Sequence, residues 1–272
     1  MALASEYLRM KPLPSAPADE APPPYEAKPR NSPVPETHAP PRASPGPPMP
    51  PPPLPSQVAR QFPPAFNVYS QSFSRTMILG EHQDQPFYAM SIHSGLSSSP
   101  PIVLHSGPTN TSPPLASVEH HSFSSRMSIT LPPAPRGSPG GAPIVDMESK
   151  MDFPSSSYVF AIGVGPSCER LEQFQWRPSA GEAIAMLDGR SRGWKLVRLA
   201  HSAGPAAFRG SDGKEVVAVW TDAGMSMSKL AKFAFTGSGL TGELGERWAI
   251  MAVISGLAIC ERQRQRRRNH NH

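Results

Sequence analysis

From Phe66 onward the chain alternates short apolar runs with clusters of Gly, Pro, Ser and Asp, the rhythm of strands and turns. Six runs come first, at Phe66–Phe73, Thr76–Leu79, Phe87–Ile92, Ile102–His105, Leu115–His120 and Arg126–Leu131. Residues 132–157, which begin with a Pro- and Gly-rich stretch, read as a mobile loop holding one further strand at Ile144–Met147. Five more runs follow, at Tyr158–Ile162, Glu172–Arg177, Trp194–Leu199, Glu215–Trp220 and Lys229–Phe235. Asp188-Gly189 and Asp212-Gly213 carry the turn chemistry of antiparallel reversals. Each run is short for a helix, and no helix alternates with the strands, which disfavours a parallel sheet.

The pattern changes at Trp248–Cys260, thirteen residues with no charged face. Glu243 and Glu246 precede this segment and arginines follow it, the order a helix macrodipole favours. A helix that is apolar all round needs apolar surroundings. Thirteen residues rise roughly 20 Å, short of the ~30 Å core of a bilayer, and Gly256 in mid-helix signals close packing against another backbone. The expected fold is therefore mainly β: about twelve antiparallel strands closing into a barrel around a C-terminal hydrophobic helix. Trp248, Ile250, Met251, Val253, Ile254, Gly256, Leu257 and Ile259 are its expected core residues. A membrane-anchored protein spanning the bilayer with Trp248–Cys260 is an alternative.

Composition adds an arm. The chain has 36 prolines, concentrated at the front, so residues 1–64 read as a disordered Pro-rich region, 65–264 as the barrel and 265–272 as a basic, polar tail. Pro22-Pro23-Pro24-Tyr25 matches the pattern bound by WW domains, with Pro22, Pro23 and Tyr25 as its contact residues. Pro50–Pro55 suits other proline-reading modules such as SH3 domains. An adaptor that recruits a WW-domain protein, for example a ubiquitin ligase, is a second functional expectation. No apolar leader follows Met1, and Cys168 and Cys260 form no evident disulfide framework, so the reading is intracellular and cytoplasmic, with a peripheral-membrane or nuclear location as variants. The formal charge is +5, but residues 261–272 hold five Arg against one Glu. The body is nearly neutral, and a broad nucleic-acid-binding face is not expected.

The stretches Phe174–Arg177, Gly189–Arg198, Gly213–Trp220 and Lys229–Gly237, continuing through the helix to Arg262, resemble fungal proteins of the Tubby C-terminal-like superfamily. That superfamily also includes plant LURP-one-related proteins and phospholipid scramblases, so the resemblance makes the membrane-anchored alternative a scramblase-like one. The resemblance implies a twelve-stranded barrel threaded by a C-terminal hydrophobic helix, and contact with phosphoinositides. From Phe66 to Leu131 it is architectural only, and the Pro-rich front lies outside it.

Catalytic signals are sparse. Gly237-Ser-Gly-Leu-Thr-Gly242 matches the dinucleotide fingerprint G-x-G-x-x-G, but no second strand with its acidic residue follows, so it reads as a turn leading the chain from barrel wall to interior. His120 and His121 are adjacent, which on a strand sends them to opposite faces, and no metal or cofactor is expected. Trp176, Trp194, Trp220 and Trp248 read as core or wall residues. No assembled nucleophile motif is present, and the protein reads as non-enzymatic. The candidate anion- or lipid-binding residues are Arg190, Arg192, Lys195, Arg198, Lys214, Lys229 and Lys232, although the odd spacing of 195 and 198 sends them to opposite faces of a regular strand. The Arg262–Arg268 run reads as a nuclear-import signal, an anionic-membrane contact or a soluble helix terminus.

Overall fold

The computed structural model describes residues 61–270, apart from 72–73, 94–96, 122–124, 153–154, 201–208 and 211. The Pro22–Tyr25 and Pro50–Pro55 motifs lie outside the described residues. Among those described, twelve strands run in order: β1 (Ala65–Ser70), β2 (Thr76–Gly80), β3 (Pro86–Ile92), β4 (Ile102–His105), β5 (Pro114–His120), β6 (Arg126–Thr130), β7 (Ile144–Asp152), β8 (Ser155–Val164), β9 (Arg170–Ser179), β10 (Gly193–Arg198), β11 (Glu215–Asp222) and β12 (Lys229–Phe235). Three helices accompany them: α1 (Glu182–Ala185), α2 (Gly237–Thr241) and α3 (Glu246–His270). Each strand pairs antiparallel with its chain neighbours, and β1 also pairs with β12, so the sheet closes. Closure removes every unpaired edge and leaves an interior that must be filled.

α3 fills it. The helix touches β5, β8 and β11, strands spaced around the wall, and Met251 to Ile254 are fully enclosed. The inward side chains of the strands and all the expected core residues of α3 form one apolar cluster in which Gly256 is also buried. Trp176 Nε1 donates to Ser255 Oγ at 2.9 Å across the interface, which fixes the rotation of the helix inside the barrel. The segment considered as a membrane span is thus enclosed by protein, and among the described residues no helix is long and apolar enough to cross a membrane.

Gly256 shows how tight the fit is. A Cβ added there would stand 3.2 Å from Trp176 Cζ2, 3.3 Å from Phe233 Cε2 and 3.4 Å from Trp220 Cδ1. The close neighbours are therefore aromatic side chains of the wall rather than another backbone. Gly256→Leu should overpack this contact and destabilise the protein by about 1–3 kcal/mol, read from the shift in urea midpoint.

Several boundaries differ from expectation. Residues 132–157 are not one loop: β7 extends to Asp152 and β8 begins at Ser155, because backbone pairing from Met147↔Phe160 to Asp152↔Ser155 continues through polar residues. What remains of that loop is tied down. Arg247, buried near the start of α3, donates to the carbonyls of Pro132 at 3.0 Å, Gly140 at 3.4 Å and Ala142. The barrel also begins before residue 65, since Phe62 is buried against Tyr88 and Phe66, and Gln61 N donates to Glu246 Oε2 at 2.9 Å. At the other terminus the helix continues to His270, so residues 265–270 form its final turns rather than a separate tail.

The Gly-rich segment is more ordered than a flexible turn. Residues 237–241 form α2, closed by Gly242 in the left-handed region at φ 81°. A Cβ on Gly239 would sit 2.2 Å from the Val217 carbonyl oxygen, so this glycine lets α2 lie directly on the wall. Those packing demands account for glycines that otherwise resemble a phosphate-binding fingerprint.

Candidate functional site

α3 enters the barrel at the end where β12 and α2 meet and leaves at the end where the odd-numbered strands finish. This outlet is identified by its contacts. Arg267 donates to Asp222 Oδ2 at 2.6 Å at the end of β11, the Arg262 guanidinium lies over the Tyr158 ring at 6.0 Å in β8, and Arg264 and Arg268 share a cleft with Arg75, Thr76 and Ile92. Because the buried part of the helix ends near Glu261, its last two turns carry Arg262, Arg264, Arg266, Arg267 and Arg268 into the mouth of the barrel.

The loop before β10 adds to them. Gly189 and Gly193 lie so close to β11 that a Cβ would meet Thr221 Cγ2 at 2.4 Å and the Trp220 carbonyl oxygen at 2.2 Å, respectively. The Thr221 hydroxyl is shared between the carbonyls of Arg190 at 3.0 Å and Arg192 at 2.8 Å. Two glycines and one threonine thus hold the backbone down while the arginine side chains between them face solvent. Among the described residues, Arg75, Arg190, Arg192 and Arg268 have no acidic partner within ion-pair distance.

Two clefts flank the emerging helix. One, of about 360 Å³, is lined by Arg75, His93, Glu261, Arg264 and Arg268; the other, of about 440 Å³, by Arg190, Arg192, Trp220, Asp222 and Arg267. By position, the acidic residues near the mouth are Glu119, Glu148, Asp152, Asp188, Asp222 and Glu261, with Glu148 paired to Arg126 at 3.6 Å. Asp222 is paired with Arg267, and Glu261 is buried 4.0 Å from Arg264. The arginines outnumber these partners, so the outlet carries net positive charge at neutral pH.

The opposite end is mixed. Glu81, Asp84, Glu169, Glu172, Glu215, Glu243 and Glu246 gather there with Arg136, Arg170 and Arg198. Arg198 is the centre of an ion cluster: Nε and Nη2 grip Glu172 at 2.6 and 2.8 Å, and Nη1 reaches Glu215 and Glu243 at 3.5 Å and Ser238 Oγ at 3.3 Å. The Glu172 hydrogen bonds, against the cost of burial and aided by the three carboxylate charges, hold this guanidinium above its ordinary pKa. The group is a structural cation rather than a free anion receptor.

The seven expected anion-binding residues therefore do not form one patch. Arg190 and Arg192 join the outlet. Arg198 is consumed at the inlet, with Glu215 beside it also supporting Ser238 N at 2.7 Å. Lys195 lines a separate cleft of about 680 Å³ on the outer wall beside α1. Lys214 Nζ donates to the Leu199 carbonyl at 2.9 Å, Lys229 lies 5.7 Å from the Tyr69 ring centroid, and Lys232 is bound to Asp188. Arg264, Arg267 and Arg268 belong to the arginine run for which the sequence offered an anionic-membrane contact as one reading, kept apart from the seven candidate site residues, and Arg75 is the residue that sequence reasoning missed. The signal that joins the run to the mouth is its position directly after the apolar core segment Trp248–Cys260.

The two cysteines are buried and unpaired, and no group of three or more potential metal ligands occurs among the described residues. The chain matches no family model, no curated protein and no solved structure.

Proposed function

We propose that this protein is a non-enzymatic binding module whose barrel contacts phosphoinositides or another anionic lipid surface through the helix-outlet end. The observation that carries the reading is the convergence of Arg190 and Arg192 with the arginines of the last turns of α3 around one mouth. Guanidinium groups suit phosphate because their planar donors form paired hydrogen bonds, and each basic side chain close to an anionic membrane contributes about 1 kcal/mol. The resemblance of residues 174–262 to the Tubby C-terminal-like superfamily supports the same reading, that of a peripheral binder with no catalytic step to perform.

Flotation of the full chain with vesicles tests this. Retention is expected on phosphatidylcholine vesicles containing phosphatidylserine or a phosphoinositide, with little on phosphatidylcholine alone, and should fall as salt screens the surface charge. Replacing Arg190, Arg192 and Arg268 together by Gln should weaken retention by about a hundredfold, the equivalent of about 3 kcal/mol, without changing the melting temperature. Equal retention on neutral and anionic vesicles at low salt would overturn the reading.

A further inference from the structure

We propose that the hairpin joining β11 to β12 inserts Met225 and Met227 into the interfacial layer of an anionic lipid surface, so that the barrel axis points at the membrane with the outlet of α3 downward. This inference rests on the lipid-binding reading and adds to it an orientation and an apolar contact.

The three most exposed large apolar side chains among the described residues are Met225 at 108%, Met227 at 103% and Met151 at 87% relative exposure. All three lie at the outlet end: the two in the turn after β11, and Met151 next to the end of β7. The arginines emerge at this same end. Scattered single apolar residues on a surface are ordinary, but fully projecting methionines on the one end that is also cationic form a pattern.

The hairpin presents its methionines on an anchored base. Ala223 N donates to the Leu230 carbonyl at 2.9 Å, Ser70 N donates to the Ser228 carbonyl at 2.8 Å, and Lys229 N donates to Ser226 Oγ at 3.0 Å. Met225 adopts φ 28°, a left-handed backbone that L side chains seldom take. At the inlet end the exposed apolar groups, Phe87, Ile144 and Leu171, are less projecting and share their surface with Glu81, Asp84 and Glu169.

The chemistry favours lipid over the other polyanions. A nucleic acid or an acidic polypeptide supplies phosphates or carboxylates for the arginines but gives a thioether little reason to project between them. The boundary between headgroups and acyl chains supplies both partners at once, anions for the guanidinium groups and a less polar layer for flexible apolar side chains. Lys229 and the Arg267–Asp222 pair, at the base of the hairpin, would then lie at headgroup level.

Met225→Cys in the full chain, labelled with an environment-sensitive fluorophore, tests the insertion. Cys168 and Cys260 are buried, and burial pushes the Cys260 thiol up to about 12, so the label goes to position 225. Adding vesicles that contain phosphatidylserine or a phosphoinositide should shift the emission to the blue and make it quenchable by brominated acyl chains. The double variant Met225→Ser, Met227→Ser should bind these vesicles about tenfold more weakly while keeping the parental salt dependence. If the chain binds anionic vesicles but the label stays in water and the double variant binds like the parent, the insertion is wrong and the lipid-binding reading survives. If the chain binds no vesicles, both fall. A blue shift produced by duplex DNA or polyglutamate in place of vesicles would overturn the choice of lipid.

Discussion

Arg198→Met is expected to destabilise the protein by about 3–5 kcal/mol, measured as a fall in the guanidinium chloride midpoint at neutral pH. The cause lies in what the substitution leaves behind. Glu215 is 1% exposed and meets Arg198 at 3.5 Å, and Glu172, 9% exposed, is gripped by it at 2.6 Å, with the more exposed Arg170 as a weaker second partner at 3.5 Å. A methionine fills similar volume but strands two carboxylates that have little water. Arg198→Lys should recover only part of the loss, because an ammonium cannot reproduce the two-pronged grip on Glu172. Arg190→Met, at an exposed position in the outlet, should change stability by less than about 0.5 kcal/mol. Equal small effects at 198 and 190 would refute the division between a structural inlet cation and a free outlet cation.

Trp248→Ala should cost about 3–5 kcal/mol and lower the melting temperature by roughly 6–20 °C. Trp248 sits in the first turn of α3, with ring centroids 5.6 Å from Phe174 and 6.0 Å from Phe235 and with Gly239 pressed against its edge. Deleting the indole opens a cavity between the helix, α2 and two strands that are distant in the chain. Rigid walls on every side limit collapse, which places the cost at the large end for a core truncation. An unchanged melting temperature would mean that α3 is not held in the barrel as described.

The core of the fold is legible because it obeys a simple rule: each strand has apolar residues to turn inward, and Trp248–Cys260 has no polar face to turn outward. The expected strand centres all lie in observed strands. Strand ends were harder. β7 runs through Glu148-Ser149-Lys150, which resembles loop by composition and is held by main-chain pairing with β8. Phe62 escaped notice because Pro63 and Pro64 separate it from β1, and α1, only four residues long, is supported by tertiary contact: Ile184 packs with Val216, Val219 and Ala234 on the outside of the wall.

The candidate site was legible only in part. Alternation did separate residues 195 and 198: Lys195 lines an outer cleft, whereas Arg198 has the same parity as the inward-facing Trp194 and Leu196 and turns into the inlet cluster. What local spacing could not reveal was which ends coincide. Arg75 and Arg268 are 193 positions apart and line one cleft because the helix ends where β2 begins. A separation of that kind is set by closure of the barrel and the length of its helical core, and no motif window spans it.

The placement of α3 after all twelve strands has a consequence for synthesis. During translation the walls leave the ribosome before the segment that fills them, so a growing chain has no interior partner for its inward side chains until about residue 260 is free. Arg247, which fastens the 131–143 connection, arrives more than a hundred residues after the carbonyls it binds. The nascent sheet therefore spends most of its synthesis with open edges and apolar surface uncovered, the state that chaperones recognise. Folding should be largely post-translational and slow, as expected when so many contacts link distant parts of a chain.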